Sequence, residues 1–576
     1  MIRHIRWQVA LIVLGALMLG GLLAYLAVAF TTTREPAPGG TYVEGIVGSP
    51  QFINPLLCQY NEVDHDLCAL IFSGLVHFDE HGLPQPDLAD HWDILDNGLT
   101  YVFHLRSNLR WQDNQPVTAE DVVFTLQMLK DPNYPGSPDL AALWYTVVIS
   151  HVDNSTIQMT LQEPLAAFLQ YASIGILPKH ILGNTAAKDL ADSPFNKKPI
   201  GTGPFAVETF GSPEAGQSQH ILLAANSHYY GKQPFIAKID FKFFPDFSSM
   251  VAAYRAGEIQ GLSHVPFANL PAVRDIPTLN LYNAPLDAYT MIYLNQGDDV
   301  PFFQDQDVRQ ALFISIDRQK LIDEILHGQA ILANSPIIPG TWAYHSDLQP
   351  PALDLGQARQ LLSKAGWQFS SASRPATDDT GLVIVPTPSP VSDEPPIRVK
   401  NGVPLSFTLY CNSDPVHIAV AKSIAQQWLA IGVKAAVVPV QAGLASNYLA
   451  PRNYQAALID VQLQGDPDPY SFWDETQANA GQNYSQYRDR DVSEILEQAR
   501  RTSNISTRID LYRKFQEMFL ERMPGILLYY PIYTYAVSEK VSNVQIGPIA
   551  FPADRFRTVA DWYVITRRVI VSSASK

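Results

Sequence analysis

The segment LQGDPDPYSFW, residues 463–473, sets two carboxylates, Asp466 and Asp468, each before a proline and beside a cluster of aromatics. Three chemistries use acids spaced this closely. A calcium loop takes oxygen ligands at its first, third and fifth positions and then a glycine. Asp466 and Asp468 fill the first two, but Tyr470 and Ser471 follow, and the prolines stiffen a backbone that would have to wrap the ion. A glycosidase pairs two carboxylates whose positions in sequence can be far apart, so spacing leaves that use open. The third use is as scaffolding for a binding loop.

Other catalytic patterns are absent from the 576 residues. No GxSxG elbow, HExxH zinc pair or GxxxxGK[ST] phosphate loop occurs. GTGPFA (201–206) shares only its first three letters with a dinucleotide fingerprint, and Pro204 and Ala206 break it. It reads as a tight turn opening a strand. The three cysteines form no CxxC pair and no Cys-His zinc spacing. Cys58 and Cys68 are close enough to bridge in an exported protein or to remain as buried thiols, and Cys411 would be left over. No metal or cofactor is expected.

The elements around the loop alternate between helix and strand. TYVEGIVG reads as a strand and SPQFINPLL as the turn leaving it. VDHDLCALIFSGLVHFD has helical apolar spacing, and LTYVFHLRSNLRWQD alternates as a half-buried strand. PVTAEDVVFTLQMLKDP is a helix that Thr118 can cap, with Asp121 at its third position. PLSFTLYCN, IAVAKSIAQQWLAIG and VKAAVVPV form a β-α-β unit. A long helix, STRIDLYRKFQEMFLERMP, then leads into the strand-like aromatic run GILLYYPIYTYAVS. The pattern is α/β throughout. Residues 370–400, rich in Ser, Thr, Pro and Asp, read as a disordered surface insertion.

A net charge of −16 removes the basic surface that nucleic acids require. At the N-terminus, Arg3 and Arg6 precede an uncharged run from Trp7 to Phe30. As a helix rising ~1.5 Å per residue this run spans roughly 36 Å, enough to cross a bilayer core. The charge placement predicts a cytoplasmic N-terminus with the remainder outside the cell membrane. Cleavage after Ala29 would instead release the chain as a secreted protein.

The block LIFSGLVHFDEHGLPQPDLADHWDILDNGLTYVFHLRSNLRWQDNQPVTAEDVVFTLQML resembles the N-terminal signature of the extracytoplasmic solute-binding proteins of ABC importers. The branch it resembles is family 5, which contains dipeptide- and oligopeptide-binding proteins. PIGTGPF, YRAGEIQG, YLNQ, VRQALFISIDR, ARQLLSKAGW and RIDLYRKFQEMFLERMPGILLYY continue the likeness in family order, over about residues 41–560.

The resemblance implies a two-lobed periplasmic-binding-protein-like fold (class II, large peptide-binding type) with a hinge and an interlobe cleft, here preceded by a transmembrane helix. On this reading residues 1–30 are the anchor and 31–40 a linker. Domain I comprises 41–285 and the C-terminal return 536–576, which includes the tail. Domain II is 286–535, with the insertion inside it. The implied protein is a monomer that catalyses no reaction. It takes a small solute, such as an oligopeptide, to a permease whose ATPase is a separate subunit.

Residues that could face the cleft are Ser49, Phe52 and Asn54 from domain I, Tyr289 and Tyr293 at the crossing, and Asn412, Gly465, Asp466, Tyr470 and Trp473 from domain II. One departure bears on the solute. Peptide binders of the family place an aspartate in the loop to pair with the ligand's α-amino group, and Gly465 stands there in this chain. Oligosaccharides and metal complexes therefore remain open as ligands. A ligand-binding sensor with the same fold and an exported hydrolase are the alternative functions.

Overall fold

The structure, a computed structural model, describes residues 7, 13–22, 32–211, 219–369, 396–463 and 465–570. Most of the expected insertion, 370–395, and most of the expected anchor lie outside these residues. Residues 13–22 are helical and exposed, and among the described residues no helix is long and apolar enough to cross a membrane.

In β1 (Thr41–Val47) the alternation puts Tyr42, Glu44 and Ile46 on one buried face. The turn after it leads into α1 (Glu62–Ile71), whose first turn is capped by the Asn61 side chain accepting from Val63 and Asp64 N–H. Strands β2 (Ala89–Leu95) and β3 (Thr100–Leu105) form a hairpin within a separate four-stranded antiparallel sheet. Strand β4 (Lys238–Phe244) and the short β5 (Gly261–Leu262) both run parallel to β1.

The chain then passes through β6 (Leu279–Pro285) directly into β7 (Ala288–Leu294). The expected β-α-β unit follows as β8 (Ser406–Asn412), α2 (Pro415–Leu429) and β9 (Lys434–Val440), with β8 and β9 parallel. Next come β10 (Ala456–Gln462), α3 (Arg490–Arg501) and α4 (Ile505–Arg522). The aromatic run GILLYYPIYTYAVS is a single strand, β11 (Gly525–Ser538). Its β-branched and aromatic residues are buried on both faces, which is why the run shows no polar alternation.

Strand β11 ties the molecule together. From Gly525 to Tyr529 it pairs with β7, and from Ile532 to Ser538 with β6. One sheet therefore runs through both lobes, in the order β9-β8-β10-β7-β11-β5-β1-β4 and then a hairpin of His220–Ala225 and Phe205–Gly211. The partner changes at Pro531, a residue with no N–H to give to the ladder. The chain crosses between lobes here and at 285–288, and the Leu286 N–H donates to the Pro531 carbonyl at 2.9 Å. These adjacent crossings lie side by side, where the resemblance places a hinge.

Candidate functional site

The GDPDP loop leaves the end of β10 beside this hinge. Asp466 makes a two-pronged ion pair with Arg508 of α4, with N–O distances of 2.6 and 3.0 Å. Arg508 is 2 % exposed and Asp466 10 %. Burial opposes the charge on Arg508, and the adjacent Asp466 and the Tyr512 hydroxyl more than restore it. The Arg508 guanidinium also lies 4.8 Å from the Trp342 ring centroid. Asp468 is nearly as enclosed, with 12 % of its side chain exposed. Burial raises its pKa, Arg500 opposes the rise at 3.9 Å, and Asp468 accepts the Tyr470 N–H.

Gly465 adopts φ +91°, a backbone that a side chain rarely allows, and a Cβ there would meet the Gln170 amide at 3.2 Å. Its N–H donates to the Asp287 carboxylate at 2.8 Å, and the next N–H, of Asp466, donates to Gln170 Oε1 at 3.0 Å. Burial is the main force lifting Asp287 to about 7, which the Gly465 N–H opposes and the nearby Asp554 and Asp466 reinforce. On this side of the hinge the lobes touch directly. The Trp342 N–H donates to the His81 carbonyl, and the Ala166 N–H to the Arg500 carbonyl.

Several expected cleft residues turn out to be packing. Tyr289 and Tyr293 are fully buried, and Trp473 is wedged 4.7 Å from the Phe519 ring and 5.8 Å from Tyr293. They share one core beneath α3 and α4. The reason is strand parity: along β7, Tyr289, Met291 and Tyr293 point to that core, and Thr290 and Ile292 to the opposite face. Tyr470 lies under the Arg500 guanidinium at 4.3 Å. Asn54 is fully buried and holds its own turn, accepting from Leu56 N–H and donating to Asn196. Phe52 packs on the lobe I core, and Ser49 is exposed, its carbonyl accepting from Asn61. Cys58 and Cys68 are buried free thiols rather than a bridge. Burial first, then a hydrogen bond shared with Cys58, raises the Cys68 thiol.

The opposite face of the hinge holds an open pocket of about 270 Å³. Lobe I contributes His264, Pro266 and Phe267; lobe II contributes Thr290, Gln329, His417 and Asp460; and Tyr529, Pro531 and Ile532 of β11 form its floor. Phe267 stacks on His327 across the lobes at 5.6 Å. Asp460 accepts from Thr290 Oγ1 at 2.5 Å and lies 3.3 Å from His417 Nε2, yet 44 % of its side chain is exposed. His417 Nδ1 is 2.6 Å from Asp414. Burial pulls His417 down, but the two carboxylates outweigh it and hold the imidazolium above its usual range. His264, stacked on Tyr533 at 4.9 Å, is pushed down to about 4 by burial, with Arg555 adding to the shift. Asn412 ends β8 two residues before Asp414, is half-buried, and is not among the residues lining the pocket.

Sequence reasoning passed over Asp460, His417 and Thr290. A carboxylate interrupting the apolar strand AALIDVQ and a histidine in the first turn of an Asp-capped helix were the available signals.

The sequence profile of the bacterial extracellular solute-binding proteins, family 5 (middle region), matches residues 84–484. The chain belongs to that family. It is an extracytoplasmic solute-binding protein, of the kind that serves ABC importers. The oligopeptide-binding protein AppA of Bacillus subtilis (strain 168) is 28 % identical over 526 residues, 89 % of this chain and 90 % of the relative. The dipeptide-binding protein of Escherichia coli (strain K12) is 24 % identical over 564 residues, 93 % and 96 % of the two chains. The structure of AppA from Bacillus subtilis in complex with a nonapeptide matches with TM-score 0.65 at 26 % identity, covering 92 % of this chain and 100 % of that one. The unliganded open form of the murein tripeptide binding protein MppA matches at TM-score 0.75 with 21 % identity, covering 93 % and 99 %, a likeness of fold alone.

Proposed function

We propose that this protein binds a peptide, or an oligomer of similar size, in the hinge pocket and hands it to an ABC permease, changing no bond itself. The observation that carries this is the pocket's construction: both lobes and the strand joining them line one cavity. An occupant touching both walls favours the arrangement that brings them together, so binding and lobe movement are one equilibrium.

The lining also speaks to the ligand. Among the described residues no Lys or Arg lines the pocket, and Asp460 with its exposed edge stands beside His417 among apolar neighbours such as Val265, Leu270 and Val416. That suits a cationic group, such as an amine, attached to an apolar body. The GDPDP loop is poorly placed for this role, because Arg508 already pairs with Asp466 and Gly465 carries no side chain of its own. The change of partner after Pro531, which still pairs with Ala330, supports a lobe I of 41–285 with its return in β11 a few residues before 536, and a lobe II from 286 to about that point. Arg3 and Arg6 before the run Trp7–Phe30 support a membrane tether with the lobes working outside.

The test is mass spectrometry of co-purified ligand, joined to thermal melts with two- to nine-residue peptides, glycans and nickel-histidine. A peptide at one hundred times its Kd should add about 2.7 kcal/mol of stability. No response to any peptide, with no co-purified ligand, would overturn the reading.

A further inference from the structure

We propose that the outer face of the β2–β3 hairpin is a divalent metal site of the zinc class, with His91, Asp93 and His104 as its ligands. The register brings them together. His91 and His104 are directly opposed across the hairpin, and Asp93, two residues along β2 from His91, shares its face. One ligand atom from each lies within 4.8 Å of the others.

The closest pair is already at coordination spacing. His104 Nε2 and Asp93 Oδ2 are 3.2 Å apart. Two ligand atoms bound at about 2.1 Å in tetrahedral or octahedral geometry are roughly 3.0–3.4 Å apart. The imidazole rings of His91 and His104 stack at 4.4 Å, 12° from parallel, so the exposed His91 ring must turn out of the stack for its nitrogen to join an ion beside that pair. Asp90 lies 3.4 Å from His91 Nδ1 and is itself held by Arg106. A carboxylate on the far nitrogen of a metal-binding histidine fixes its ring and leaves Nε2 for the ion.

Two imidazoles and one carboxylate favour Zn²⁺, Ni²⁺ or Cu²⁺ over Ca²⁺ and Mg²⁺, which take oxygen ligands. Three protein ligands on an exposed face leave the remaining positions to water. The hairpin shares no residue with the hinge pocket, so the site stands or falls independently of solute binding.

Metal-stripped, tag-free protein titrated with Zn²⁺ in a calorimeter should bind one ion per chain with micromolar affinity. The His91→Ala/His104→Ala double variant should lose at least tenfold and Asp93→Asn a smaller factor, while His228→Ala, an exposed histidine elsewhere, should match wild type. Unchanged circular dichroism and metal-free melting of the variants, all on an exposed face, would confirm that folding is intact. Absence of one-to-one binding in the wild type, equal affinity in the double variant, or Ca²⁺ binding as tight as Zn²⁺ would each overturn the proposal.

Discussion

The lobe II sheet presents two faces at the hinge, and aspartates six residues apart end on opposite sides. Asp466 is locked by a buried arginine beside a packed aromatic core. Asp460 is half open, met by a threonine and a histidine in a pocket without basic lysine or arginine side chains. The conspicuous loop is therefore held within packed structure, and the carboxylate inside an apolar strand lines an open pocket. Both carboxylates have protein partners, Arg508 for Asp466 and His417 for Asp460; what separates them is exposure, 10 % of the side chain against 44 %.

The sharpest way to break the contrast is Arg508→Met, which leaves Asp466 buried without its cation. Loss of one partner of a buried pair costs about 3–5 kcal/mol, to be read from denaturant melts.

Asp287→Asn comes next. Folded Asp287 keeps its proton up to about 7, whereas an unfolded aspartate loses it near 3.9. Wild-type stability should therefore fall as pH rises between those values, by at most about 4 kcal/mol through linkage. The amide can still accept from Gly465, so the variant should be the more stable protein at pH 8 and equal to wild type near pH 4. His264 contributes an opposite slope, because the unfolded chain takes up its proton first as pH falls from 6.5 toward 4. Comparing variant with wild type cancels that background.

On the open face, Asp460→Asn should leave melting within about 0.5 kcal/mol of wild type and weaken binding of an amine-bearing ligand about tenfold, near 1.4 kcal/mol. Equal weakening by Arg508→Met in the folded state would erase the distinction between the faces. The smallest effect belongs to Gly465→Ala, about 1 kcal/mol from the left-handed backbone, seen as a modest drop in melting temperature.

Much of the framework was legible in the sequence. The run GILLYYPIYTYAVS became one strand over its full length because continuous apolar and aromatic residues signal burial on both faces. The β-α-β unit appeared where its alternating periods placed it. The site was harder to see. Choosing Tyr289 and Tyr293 over Thr290 required knowing which face of β7 each lobe covers, and a shift of one residue reverses the answer. The partners of Asp466 and Asp460, Arg508 and His417, lie some forty residues away with no local pattern to join them. The Gly465 backbone angle likewise depends on a loop pressed against the other lobe.

The hydrogen bond from Leu286 to Pro531 places the two crossings side by side. Topologically, lobe II is then a cassette spliced into lobe I at a single seam. A domain whose ends meet can be exchanged without redrawing its host, since only a short junction must be rejoined. Swapping the segment between Leu286 and Pro531 for that of a relative should transfer one wall of the pocket while leaving the lobe I core, from Tyr42 to Trp562, undisturbed.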